Sequence, residues 1–252
     1  MPERFFIDGD ASLSAGTVIE GALAHHIARS LRMRPGETIV VVDDRRAEHR
    51  VRLRSVAADR VVGDVLSTRP ATGEPRLHIT LVQALPRERM EDCIDILVEA
   101  GAAEIRPVVT ERVVSRLAED RIPQRLLRWQ AVAREAAQLS GRGAIPPVHA
   151  PVALADALAA LDDGTRVIAC TFDAATPMAA IEVDHADPIA VCIGPEGGFG
   201  ERDLEVLAKA HAQTVHMGAR VLRTRYAGAV ACALLLGRGG DLTAPPAAEP
   251  AG

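Results

Sequence analysis

Two glycine-bearing segments hold the residue types that could do chemistry. The first reads Ile193-Gly194-Pro195-Glu196-Gly197-Gly198-Phe199-Gly200-Glu201. Its four glycines lie within seven positions, which lets a backbone come close to a ligand, and free N–H groups at a helix start suit polar or anionic groups. A phosphate-binding P-loop is excluded, because Phe199-Gly200 stands where Gly-Lys-Ser/Thr belongs. A dinucleotide fingerprint is excluded too, since the glycines read G-x-x-G-G-x-G rather than G-x-G-x-x-G. A plain strand-to-helix turn would use the same residues without a ligand. The second segment reads His216-Met217-Gly218-Ala219-Arg220-Val221-Leu222-Arg223-Thr224. A glycine turn with bare backbone groups, two arginines and apolar neighbours could hold an adenine and face a phosphate. Its plain alternative is a β–α connection with solvated arginines.

Both segments need buried strands before them and helices after them. PIAVCIG (188–194) is a near-continuous apolar run, as are LHITLVQAL (77–85) and VIACTF (167–172), the mark of strands buried on both faces. EIRPVVT (104–110) and TVHMG (214–218) complete five strands. Helical spacing predicts helices over about 88–100, 123–139, 200–212 and 226–236. In the second of these, Leu126, Trp129, Ala133 and Ala136 share a face, and Pro123 suits a first turn. Strand and helix alternation argues for an α/β class with a parallel sheet covered by helices on both faces. In open sheets of this kind ligands sit at the carboxyl ends of strands, where both glycine segments fall.

The residues before this pattern read differently. ETIVVVDD (37–44), HRVRLRSV (49–56) and DRVVGDVL (59–66) are short β-branched runs, and Val51, Leu53 and Val56 alternate with arginines. They predict a small barrel over residues 1–70, with HHIARSLRM (25–33) as a short helix stopped by Pro35-Gly36. The Pro/Gly-rich TRPATGEPR (68–76) is the expected linker, 74–240 the expected larger domain, and the Ala/Pro-rich 241–252 an expected disordered tail.

The bulk numbers narrow the function classes. No apolar run reaches the roughly 18 residues of a membrane span, and MPERFFIDGD carries acids rather than a signal-peptide core, so a cytoplasmic location is expected. Cys93, Cys170, Cys192 and Cys232 form no C-x-x-C pair and sit among apolar neighbours, which predicts buried free thiols and no metal site. Net charge is −5, yet nine arginines stand against five acids between Arg29 and Arg60, a local basic face able to meet phosphates. Lys209 is the sole lysine, so this arginine abundance is also explained by compositional habit.

Together, IGPEGG and MGARVLRT resemble the C-terminal signature of SPOUT methyltransferases. More closely, the chain resembles the ribosomal RNA small subunit methyltransferase E family, which methylates N3 of a uridine in 16S rRNA. The resemblance covers nearly the whole chain. RFF (4–6) and HHIARSLRMRPGE (25–37) match its PUA-like RNA-binding β-barrel. RERMEDCIDILVEAGAAEIRPVVTERVV (87–114) and RWQAVAREAAQLSGRGAIPPV (128–148) match its catalytic domain.

The resemblance implies a trefoil knot, a rare exception to chain topology, with S-adenosylmethionine held by its loops. Carried onto this sequence, the cofactor residues are Thr171, Gly194, Glu196, Gly197, Met217, Gly218, Val221 and Leu222. It implies a homodimer acting on 16S rRNA or the small ribosomal subunit, with no metal and no membrane. Methyl transfer from a sulfonium is an in-line displacement that rewards alignment. Arg223 is the candidate cation that stabilises the anionic base. Arg32, Arg34, Arg142 and Arg220 are candidates for RNA contact. Glu196 is either a base or, as we favour, an acid that holds cofactor or backbone amides.

The chain departs from the family at Arg225-Tyr226, where the usual motif L-R-T-E-T-A has Glu-Thr. It also has Gln138-Leu139-Ser140-Gly141-Arg142 for E-Q-S-x-R, and Arg87 and Ile96 where lysines are usual. Two alternatives follow from these departures: a related knotted enzyme acting on another RNA or on a ribose 2′-oxygen, and a non-enzymatic RNA-binding or ribosome-assembly protein.

Overall fold

Runs of Val, Ile and Leu on alternating positions build the first sheet. A computed structural model describes residues 2–7, 16–114 and 118–243. By their contacts they fall into two compact units, Met1–Glu74 with Ala137–Ala144, and Pro75–Ala136 with Ile145–Gly252.

The first unit holds β1 (Arg4–Phe6), β2 (Gly16–Glu20), α1 (Gly21–His25), β3 (Thr38–Val42), β4 (Ala47–Val56) and β5 (Arg60–Pro70). Their order is β1-β3-β4-β5-β2, parallel between β1 and β3 and antiparallel elsewhere. Register shifts at Arg50/Val51 and Leu53/Ser55 bend the long β4–β5 pair, which curls the sheet into a half-barrel. Phe5, Ile27, Ile39, Val51, Leu53 and Val61 fill its inside. Val51 and Leu53 face inward as the alternation predicts, and Val56 packs against the same core. The expected helix over 25–33 begins earlier, at Gly21, and continues past α1 as a wider turn over His26–Ser30.

Charged side chains in this unit pair inside it. The buried Glu48 carboxylate meets Arg4 at 2.7 Å and Arg69 at 2.6 Å. Burial raises its pKa, but the two guanidinium groups outweigh that and hold it below the usual carboxylate value. Asp43 accepts N–H groups from Ala47 at 2.9 Å and Arg45 at 3.0 Å, and meets His49 Nε2 at 3.0 Å. These bonds likewise outweigh burial and lower its pKa. Glu74 accepts the Arg142 guanidinium at 2.6 Å together with the N–H groups of Gly143 and Ala144, tying 137–144 into this unit.

The second unit holds β6 (Ile79–Ala84), α2 (Met90–Glu99), β7 (Glu104–Val109), β8 (Val152–Ala153), α4 (Leu154–Ala159), β9 (Arg166–Cys170), β10 (Ile189–Ile193), α5 (Glu201–Lys209), β11 (Gln213–Val215) and α6 (Thr224–Arg238). The long α3 (Ile122–Leu139) contributes its first part here. The sheet order is β11-β9-β10-β6-β7-β8, all parallel. β6 and β10 are buried along their whole lengths, so helices cover both faces. α2 packs with α6, and α4 with α5.

After β11 the chain lies against the β9–β10 connection. Thr171 N–H donates to Val215 O at 2.9 Å, and Met178 N–H donates to His216 O at 2.9 Å. The expected fifth strand therefore ends at Val215, two residues before Met217 turns into the site. Of the expected tail, Asp241–Thr243 form a short 3-10 turn, and 244–252 lie outside the described residues.

Candidate active site

Strands β11, β9 and β10 are consecutive neighbours in a parallel sheet, so the segments leaving their carboxyl ends emerge side by side. They enclose a cavity of about 350 Å³, within the range of small-molecule sites, roughly 300–1,000 Å³. β9 delivers Cys170, Thr171 and Phe172, and β10 delivers 193–198. The third wall is Met217, Gly218 and 220–222, closed by Thr224 and Ala227 of α6. All eight expected cofactor residues line this one cavity, and so does Arg220.

The glycine segment is held from outside itself. Asp203, buried at the third position of α5, accepts Gly200 N–H at 2.9 Å and Glu111 N–H at 3.1 Å. The Glu111 carboxylate in turn accepts Arg202 N–H at 3.1 Å, and Arg112 donates to Gly197 O at 2.9 Å. A Cβ at Gly200 would run into the Glu111 side chain, so the close approach there requires glycine. Glu196 accepts the backbone N–H of Arg87 with both oxygens, each at 3.2 Å. Its carboxylate thus holds a backbone amide of the turn after β6.

The turns at 86–88 and 110–112 were not anticipated from sequence. Asp203 carried a usable signal, an acid three residues after a helix-capping glycine.

The second segment is held more loosely. Gly218 sits at φ +93° and donates its N–H to His216 Nδ1 at 3.1 Å. Val221 is 83% exposed and Phe172 68%, both on the cavity rim. Arg223 does not line the cavity. It precedes α6 with its side chain 69% exposed, and its Nη1 lies 3.4 Å from a Glu88 oxygen. Arg225 reaches the other Glu88 oxygen at 2.7 Å and donates to the Tyr226 hydroxyl at 2.7 Å.

The remaining expected RNA contacts divide. Arg32 and Arg34 are exposed on the turn after the first helix, Arg32 at φ 53°. Arg142 is placed differently from expectation. Its side chain is 4% exposed and locked on Glu74, so its guanidinium serves the interior of the first unit rather than a phosphate.

Three of the thiols, Cys93, Cys192 and Cys232, are buried as expected, whereas Cys170 is half-buried and lines the cavity. Burial pushes Cys93 and Cys170 up to about 12, and Cys192 higher still. Among the described residues no three His, Cys, Asp or Glu side chains are grouped to hold a metal, and no helix is long and apolar enough to cross a membrane.

Comparison with known proteins bears on this geometry. The model of an RNA methyltransferase domain matches residues 73–236, and that of an RNA methyltransferase PUA domain matches 19–66. The ribosomal RNA small subunit methyltransferase E of Mycobacterium bovis is 33% identical over 244 residues, covering 95% of this chain and 91% of the relative. The Synechocystis protein of the same name is 27% identical, covering 92% and 77%. A crystal structure of the same-named Neisseria gonorrhoeae protein bound to S-adenosyl methionine superposes with a TM-score of 0.84 at 27% identity, covering 96% of this chain and 98% of that one.

Proposed function

This chain belongs to the ribosomal RNA small subunit methyltransferase E family, and from that membership we propose that it methylates N3 of a uridine in 16S rRNA. It is an S-adenosylmethionine-dependent rRNA methyltransferase with a SPOUT-type catalytic domain and a PUA-like domain. One observation carries the reading: three loops from adjacent parallel strands converge on a single cavity lined by all eight residues expected to hold the cofactor.

The cavity suits S-adenosylmethionine. Glycine backbone forms one wall, apolar Met217, Val221 and Leu222 another, and the volume falls in the small-molecule range. Bound there, the cofactor supplies an electrophilic methyl group on a sulfonium. Thr171, Gly194, Gly197 and 217–222 would hold it, with Glu196 keeping the glycine segment against the turn after β6. The substrate base must leave its stack to reach the cavity, at a cost of roughly a few kcal/mol. Uridine N3 loses its proton to water as it attacks, which places negative charge on the base until the new N–C bond forms and the sulfonium leaves as a neutral thioether. Arg223, exposed beside the rim, is the cation we assign to that charge. Arg220, Arg32 and Arg34 are assigned to RNA phosphates, which suits a chain with few aromatic stacking platforms.

The same reading makes the protein a cytoplasmic homodimer. The exposed Phe172 and Val221 beside the cavity support a site completed or covered by a second chain.

The test is transfer of labelled methyl from S-adenosylmethionine to small ribosomal subunits from a strain lacking this protein, followed by nucleoside analysis. Label is expected in 3-methyluridine. Label in a 2′-O-methyl nucleoside, or none despite cofactor binding, overturns the assignment.

A further inference from the structure

Glu88 lies between two arginines beside the cavity. Its Oε2 is 2.7 Å from Arg225 Nη1, and its Oε1 is 3.4 Å from Arg223 Nη1. The two contacts are unequal in burial as well as length. The Arg225 side chain is 25% exposed, with its guanidinium carbon 4.6 Å from the Tyr226 ring centre and a hydrogen bond to the Tyr226 hydroxyl. Arg223 is 69% exposed and has the longer contact. Glu88 is therefore bonded tightly to a braced, half-buried cation and loosely to a solvent-facing one.

We propose that Arg225 is a positioning residue that acts as the counterion of Glu88, leaving the charge of Arg223 available to the RNA. The inference rests on the role assigned to Arg223 above. In the trio, two cations and one anion leave a net charge of one cation at the rim. Without Arg225, the Glu88 carboxylate has Arg223 as its nearest partner, and the trio becomes neutral where an anionic base has to be stabilised. Glu196, which accepts the Arg87 N–H, and Asp92, 3.7 Å from Arg89, keep their charges in every variant below and so cancel from the comparison.

A role by charge makes a prediction that a packing role does not: removing the anion as well should undo the loss of the cation. Arg225→Gln is expected to lower kcat for methyl transfer to small subunits about tenfold, with unchanged affinity for S-adenosylmethionine. Glu88→Gln/Arg225→Gln is expected to return kcat to within about threefold of the parent. A double variant as slow as Arg225→Gln overturns the inference, as does an equal loss of cofactor affinity in the single variant. Should the parent transfer no methyl group to any subunit, the functional reading fails, and retention of 16S rRNA at two salt concentrations decides the pairing by itself. Retention weakened in Arg225→Gln and recovered in the double variant supports the inference; equal retention by all three proteins overturns it.

Discussion

The two loops facing each other across the cavity are built on opposite plans. The glycine segment after β10 is fixed by groups outside it: Asp203 accepts the Gly200 N–H, Arg112 donates to the Gly197 carbonyl, the Arg87 amide holds the Glu196 carboxylate, and the Glu111 carboxylate accepts the adjoining Arg202 N–H. The segment after β11 is tied at His216, whose backbone bonds Thr176 and Met178, but beyond it has one internal bond at Gly218 and presents Arg220, Val221 and Arg223 to solvent. A rigid wall fixes where a cofactor sits, whereas an open wall can admit it and meet a large partner. The first loop should therefore be costly to disturb through stability and cofactor affinity together, and the second through turnover or cofactor affinity with the free fold's stability unchanged.

The largest effect should come from the rigid wall. Asp203→Ala removes the acceptor of two N–H groups; leaving the buried Gly200 donor unpaired costs about 1–3 kcal/mol, and the part-buried Glu111 donor less. A loss of about 3 kcal/mol in unfolding free energy and more than tenfold in S-adenosylmethionine affinity is expected, measured by denaturant titration and calorimetry. Near-normal cofactor affinity would show that the glycine segment holds itself, and the contrast between the loops would collapse.

Next comes Arg223→Ala in the open wall. It is expected to slow methyl transfer about a hundredfold, or about 2.7 kcal/mol. Cofactor affinity and melting temperature should stay close to the parent's, because the side chain lies outside the cavity with only a long contact to Glu88. An equal fall in cofactor affinity would mean that Arg223 holds the cofactor rather than the charge on the base. Smaller again is Val221→Ala. A side chain 83% exposed contributes little to the free fold, so its apolar surface has value only once something covers it. About a fivefold weaker cofactor affinity with unchanged stability is expected; lost stability instead would contradict the open-wall description.

How far the sequence revealed this contrast depends on the range of the interactions. The glycine segment was legible because β10 is a five-residue apolar run buried on both faces, followed at once by glycines and a helix. Val51 and Leu53 were legible for a similar reason, their alternation marking the inward side of β4. What fixes the glycine segment was not legible, since the Glu111 amide and Asp203 are 92 residues apart in the chain. Three-residue β1 has too few residues for any period, and its pairing with β3 is non-local. Arg142 misled for the same reason. An arginine after a helix reads as a solvated cation unless Glu74, 68 residues earlier, is known to fold onto it.

The smallest effect on function, and the sharpest control, comes from a carboxylate that does for another turn what Asp203 does for the glycine segment. Asp43 accepts two backbone N–H groups and a histidine in the first unit. Asp43→Ala is expected to cost about 1–2 kcal/mol of stability while changing S-adenosylmethionine affinity less than about twofold. The folded-state pKa of Asp43 is lowered from 3.8, so the carboxylate stabilises the fold fully above that value and loses the contribution as pH falls through its lower folded value. The gap in melting temperature between parent and variant should then be complete at neutral pH and narrow below about pH 4. If Asp43→Ala weakens the cofactor as much as Asp203→Ala does, loss of affinity reflects general destabilisation, and the rigid wall has no special claim. If affinity holds while stability drops, the loss in Asp203→Ala belongs to the cavity.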